Sequence, residues 1–308
     1  MARKRKGRPI HGWLNIDKPL GMSSSKVVSR VRGILQAAKA GHGGTLDPLA
    51  TGVLPIALGE ATKTVSYAMD GTKTYRFLVR WGQATSTDDT EGEVIKESDI
   101  RPTADAISAI LPRFVGEIEQ VPPAFSAIKV DGRRAYELAR RDEAVELKSR
   151  RVQIDALTLI NRPDNDHAEF EVIAGKGTYV RSLARDIARA LDTVGHVAEL
   201  RRTAVGNFHV KDAISLDKLE SLGHIAPASS NLLPVETVLD DIPALALTTQ
   251  EANKLRHGQG VAVLPVASRS PFKDISQGDT IVAMADGKLV ALAKIAGGEI
   301  RPVRVLNL

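Results

Sequence analysis

The 308-residue chain contains no cysteine. That absence excludes disulfides, thiolate-bound zinc and any thiol nucleophile, so covalent chemistry would need an oxygen nucleophile. No apolar run approaches the ~20 residues needed to span a bilayer. The N-terminus, Met1 to Pro9, is basic, but no apolar signal-peptide core follows it, so a cytoplasmic protein is expected. Walker and Gly-x-Gly-x-x-Gly phosphate-binding elements are also missing. Charge of either sign is nearly balanced: the formal total is +5, and Arg3, Lys4, Arg5, Lys6 and Arg8 supply all of it. Binding to a polyanion can therefore be argued only from local clustering.

Two clusters stand out, residues 129–151 and 176–202, each with three more basic than acidic residues. Mixed charged runs commonly form a solvated face, and RNA contact is the alternative. The basic tail, residues 1–9, is expected to be disordered and to serve at most as a weak electrostatic tether.

The most informative segment is residues 41–52, Gly-His-Gly-Gly-Thr-Leu-Asp-Pro-Leu-Ala-Thr-Gly. Glycines tolerate positive φ and close approach to a ligand, while Pro48 fixes its own φ and pushes Asp47 away from helical geometry. An irregular, stiffened loop is expected, presenting one acid, Asp47, and one imidazole, His42. A glycine-rich turn whose Asp caps a helix is the bland alternative.

Elsewhere the patterning mixes strands and helices. Trp13–Ile16 and Tyr75–Trp81 read as strands, and 152–160 with 168–174 as a strand pair. Ser23–Ser25 offers an N-cap to a helix with Val27, Val28, Val31, Ile34 and Leu35 on one face. A second helical stripe runs Val180, Leu183, Ile187, Leu191, with Arg181, Arg185 and Arg189 on another face. Residues 105–111 look helical up to Pro112. The sum argues a mixed α+β core. Residues 121–150 have few large apolar side chains and read as a surface excursion, with an Asp131-Gly132 turn and a short basic helix from Arg133 to Arg141. A smaller unit begins near residue 241: a capped helix start at Thr248, an Asp286-Gly287 hairpin and a closing strand over 301–306.

Taken with Val53 to Lys63, the 41–52 block resembles the signature of the TruB family of tRNA pseudouridine synthases. Leu14–Pro19, Gly21–Ser24, Lys73–Arg76, Lys176–Arg181 and Leu200–Thr203 resemble further segments of that family in the right order, over roughly residues 10–240. Gly43, where the family often has Thr, is a local departure that leaves the acid untouched. The resemblance implies a mixed-sheet catalytic domain over 10–240 with flanking helices and an inserted thumb, then a small PUA-like RNA-binding β-barrel over 241–308. A plain structural β module is the alternative for that last unit.

It also implies conversion of the T-loop uridine of tRNA (position 55 in standard tRNA numbering) to pseudouridine. The N1–C1′ bond breaks, the base turns, and C5 joins C1′, without redox change, so no metal or cofactor is expected. Other enzymes that modify uracil rings attack with a cysteine, which this chain lacks. Asp47 takes the covalent role by resemblance, Arg181 pairs with it, and the ring of Tyr75 stacks on the uracil while its hydroxyl can accept a C2′ proton. His42 fills the space left by the everted base; eversion costs a few kcal/mol. Tyr179 and Leu200 line the uracil pocket. Lys18 and Lys63 take structural or phosphate-positioning roles, and Arg133, Arg134, Arg140 and Arg141 of the thumb contact RNA. No lysine-rich extension suggests a guide RNA or obligate protein partner. Two rivals stay open: a non-catalytic RNA-binding or RNA-folding protein, and an N-glycosidic hydrolase releasing uracil.

Overall fold

The computed structural model describes residues 7–126, 129, 130, 133, 134, 147–222, 231–270 and 275–308. In chain order the strands of the first part are β1 (Gly12–Lys18), β2 (Ala40–His42), β3 (Ala50–Leu58), β4 (Lys73–Trp81), β5 (Gln83–Thr85), β6 (Val94–Glu97) and β7 (Gly116–Gln120). There follow β8 (Lys129–Val130), β9 (Arg133–Arg134), β10 (Arg150–Asn161), β11 (His167–Ala174), β12 (Gly195–Val205), β13 (Phe208–His209) and β14 (Ile214–Ser215). The C-terminal part adds β15 (Ala244–Ala246), β16 (Val261–Ala262), β17 (Thr280–Ala285), β18 (Lys288–Ala296) and β19 (Glu299–Val305).

Ten of these strands form one mixed sheet in the order β14-β1-β3-β12-β4-β11-β10-β7, with β2 beside β3 and β13 beside β12. β1–β14 and β3–β12 pair in parallel, and the other pairs are antiparallel. The fold is therefore α+β, as the interspersed patterning implied. β12 lies between β3 and β4, which sets Leu200–Arg202 beside Ala50–Gly52 on one side and Arg76, Phe77 and Tyr75 on the other. Three segments far apart in sequence thereby share one short stretch of sheet.

Helices cover the sheet where the sequence places apolar stripes. Ser23 caps the helix Ser24–Leu35, whose Val27, Val31 and Leu35 pack on Leu14, Ile16, Leu54 and Ile56. The helix Val180–Ala190 buries Val180, Leu183, Ala184 and Ile187 against Phe77, Val79, Phe170 and Val172. Phe77 stacks on Phe170 at 5.3 Å, and Trp81 meets Phe170 edge-on. No helix among the described residues is long and apolar enough to cross a membrane.

β15–β19 make a separate curled five-stranded sheet, a PUA-like half-barrel, in the order β15-β17-β18-β19-β16. Asp286 and Gly287 both take positive φ, the geometry a two-residue hairpin requires. Thr248 and Glu251 form a capping box at the start of the helix Thr249–Arg256. One apolar cluster joins the two sheets, with Trp13, Ala57, Ala61 and Phe208 packed with Leu289, Leu292 and Leu306.

Three expectations need correction. Arg8 is fixed by backbone hydrogen bonds with Gln36 and Ala38, so a disordered tail to residue 9 is too long; residues 1–6 lie outside the described residues. Arg133 and Arg134 form a strand paired with Lys129 and Val130, not the start of a helix. An Asp-Gly sequence between the two segments favours a hairpin over helix propagation; Arg140 and Arg141 lie outside the described residues. The helix Ala104–Ile110 does not stop at Pro112 but tightens into a 3₁₀ turn over Leu111–Phe114 that contains it. Proline near the start of such a turn lacks only a donor that would go unused.

Candidate active site

Several peptides around Asp47 are tied down. The Gly43 amide donates to the Pro55 carbonyl at 2.8 Å, and the Ser24 hydroxyl both accepts from the Leu46 amide and donates to the Leu46 carbonyl. The Pro48 carbonyl accepts from the Gly21 amide and from the Lys18 ammonium. Gly44 has φ +134°, out of reach for most side chains. The stiffened loop read from the sequence is present, and no helix follows it for Asp47 to cap: β3 begins at Ala50.

The loop aims Asp47 into a cavity of about 330 Å³, within the range of small-ligand pockets. Tyr75, Tyr179, Arg181 and Leu200 line the same cavity, as do Lys73, Arg150 and Arg202. Five of the sequence-derived site residues are thus brought together: Asp47, Tyr75, Tyr179, Arg181 and Leu200. The side chain of Asp47 is 33 % exposed, and its Oδ2 lies 2.8 Å from Nη2 of Arg181. Arg181, 3 % exposed, also meets Asp89 Oδ2 at 3.1 Å and donates to the Thr87 and Phe125 carbonyls. Placing one cation between two carboxylates offsets its desolvation and leaves the outer carboxylate facing the cavity.

Asp89 was not found by sequence reading. It is 2 % exposed and accepts from the Thr87 hydroxyl and the Glu91 amide. The only sequence signal was an acidic turn, Asp88-Asp89, about ninety residues from its partners (181 against 89). Arg185, on the face of its helix away from the apolar stripe, is not a solvated arginine: its guanidinium pairs with Asp88 at 2.8 Å and donates to the Val121 carbonyl. Burial pushes the Asp88 carboxyl above its usual range, against the pull of Arg185.

The Tyr179 amide donates to Gln120 Oε1, and the Arg150 guanidinium lies 4.8 Å above its ring. His42 sits at the end of β2, half-buried, with its Nδ1 accepting from the Gly44 amide; it flanks the loop and does not line the cavity. Burial, and next the charge of Arg202, pulls its imidazole below the usual range. Lys73 is pushed down to about 8 by burial, with Arg202 adding to the effect.

Lys18 cannot reach an RNA phosphate. It is 0 % exposed, and its ammonium donates to the Pro19, Met22 and Pro48 carbonyls. Burial lowers it to about 8 while Asp47 pulls the other way. Of the two roles expected for it, the structure favours the one of holding the loop. Lys63 is likewise committed, to Glu60 at 2.6 Å and to the Val305 carbonyl, joining the first sheet to the last strand.

Comparison with known proteins gives concordant matches. Residues 32–180 match the family model for the TruB family pseudouridylate synthase N-terminal domain, and residues 181–240 match that for the tRNA pseudouridylate synthase B C-terminal domain. A protein of Rhodospirillum rubrum called tRNA pseudouridine synthase B is 61 % identical over all of both chains. One of the same name from Gluconacetobacter diazotrophicus is 56 % identical over 99 % of this chain and 100 % of its own. Among solved structures, a chain of a Cbf5–Nop10–Gar1 complex superposes with a TM-score of 0.74 at 27 % identity, covering 100 % of this chain and 90 % of that one.

Proposed function

The chain belongs to the TruB family of pseudouridylate synthases, and on that premise we propose that it isomerises the T-loop uridine of tRNA (position 55) to pseudouridine, with Asp47 as the covalently acting group. The observation that carries the reading is the Asp47–Arg181 pair at the mouth of a cavity also lined by Tyr75, Tyr179 and Leu200. A carboxylate held by a guanidinium, its free edge toward open space, suits attack at an electron-poor sugar carbon. Direct addition to C1′ and elimination through a glycal both use that anion. In the second route the Tyr75 oxygen accepts the C2′ proton as its own hydroxyl proton passes to the Asp47 carboxylate and the N1–C1′ bond breaks. Leu200 and the aromatic rings supply apolar walls for an everted base.

The enzyme acts without a guide RNA or an obligate protein partner, in the cytoplasm, and the PUA-like unit over 241–308 serves as a second RNA-binding surface. His42, beside the loop, stabilises the tRNA stack left open by the target base. The pure RNA-binding reading is disfavoured because an exposed carboxylate edge in the cavity would repel an anionic ligand. The glycosidic hydrolase reading is separated by its product, free uracil.

The decisive experiment is incubation with an unmodified tRNA transcript followed by nucleotide-resolution mapping of pseudouridine. One modified site in the T loop is expected. Asp47→Asn should lower the rate by about 10⁴-fold or more while tRNA affinity stays within about threefold. Turnover by that variant, modification elsewhere, or released uracil would refute the proposal. The thumb arginines are assigned phosphate contact: replacing Arg133, Arg134, Arg140 and Arg141 together should weaken binding and flatten its salt dependence. An unchanged slope would remove that role.

A further inference from the structure

Arg202 is buried beside the reacting groups, yet no step above uses it. It is 1 % exposed, and no carboxylate among the described residues pairs with it. Its position in β12 faces Gly52 of β3 on one side and Tyr75 of β4 on the other. Gly52 has φ +100°, and a Cβ there would fall 2.1 Å from the Arg202 carbonyl oxygen, so only glycine lets the strands approach this closely. The guanidinium donates to the Val53 carbonyl at 2.7 Å, the Gly44 carbonyl at 3.1 Å and the Thr45 carbonyl at 3.4 Å. Arg202 and Tyr75 are paired across the β4–β12 ladder, and both line the cavity. Gly44 and Thr45 precede Asp47 by three and two residues in the loop that aims it.

A buried cation is expensive unless its donors are used, and these are spent on β3 and on the loop that carries Asp47. We infer that Arg202 is a positioning residue for the isomerisation: one guanidinium ties the peptides that aim Asp47 to β3. This rests on the catalytic reading of Asp47 given above. Lysine could not substitute. A single ammonium has three donors on one atom and cannot span the Val53 carbonyl on β3 and the Gly44 and Thr45 carbonyls of the loop as the guanidinium fork does.

The test is single-turnover isomerisation of an unmodified tRNA transcript by wild type, R202K, R202Q and D47N, with tRNA affinity and melting measured alongside. R202K is expected to fold and to bind tRNA within about threefold of wild type, with a rate constant about a hundredfold lower, as for a misplacement near 1 Å. R202K at the wild-type rate, or a rate loss matched by an equal loss of tRNA affinity, overturns the inference. Should R202K not fold, R202Q is read by the same criteria, and failure of both to fold makes Arg202 a scaffold residue and overturns it too. D47N at the wild-type rate instead refutes the catalytic reading on which the inference rests. D47N slow beside an unimpaired R202K refutes Arg202 alone.

Discussion

The cavity end of the large sheet and the C-terminal curled sheet are both strands over apolar cores, but they bury different things. Around the cavity Lys18, Lys73, Asp89, Arg181 and Arg202 are all withdrawn from water. Between residues 244 and 308 the buried side chains among the described residues are apolar without exception. In the second region local rules suffice: a capping box, an Asp-Gly hairpin and apolar strands agree with one another. In the first, several ions sit where each would be costly alone, and only their mutual arrangement makes them tolerable. Functional chemistry lies where local rules are broken and long-range pairing repairs the break.

The comparison can be broken from either side. Asp89→Ala should have the largest effect on stability, because it strips one carboxylate from buried Arg181: about 3–5 kcal/mol by denaturant titration. The rate should fall as well, since the guanidinium is free to turn from Asp47. A loss below about 1 kcal/mol would mean that the pair is not a buried one in solution. Thr248→Ala, in the C-terminal unit, should cost about 1 kcal/mol and leave the rate per bound tRNA unchanged. A rate change there would erase the contrast between the regions.

The smallest effect concerns pH. The folded protein holds His42 below its ordinary value of 6.5, so the unfolded chain binds the proton first as pH falls. Stability should therefore decline as pH drops below about 6.5, and the His42→Phe variant should decline less; equal slopes in melting temperature would remove His42 from that linkage.

Much of the frame was legible. The stripe Val180, Leu183, Ile187 marks the buried face of its helix, and Ser23 does cap the helix it precedes. The glycine-flanked Asp47 was legible as a loop acid because glycine and proline constrain backbone directly. Asp89, Asp88 and the true setting of Arg185 were not, because an acidic turn reads as solvated surface until a distant helix is brought over it. Lys18 stood between a structural and a phosphate-positioning role, and only the packing shows its ammonium enclosed by three carbonyls. The pairing of Lys129 and Val130 with Arg133 and Arg134 was missed because those two arginines were read as the start of a helix despite the Asp-Gly sequence before them.

The sequence by itself determined the main strands, helices and turns, and which acid stands on the constrained loop, since those follow from side-chain period and backbone stereochemistry within a few residues. Tertiary structure alone decided that β12 lies between β3 and β4, and hence that Arg202, Tyr75 and the Asp47 loop meet, and that Arg181 is shared by Asp47 and Asp89. The reason is physical: a charge is stabilised in the interior by partners in space, and strand order, not sequence distance, chooses them.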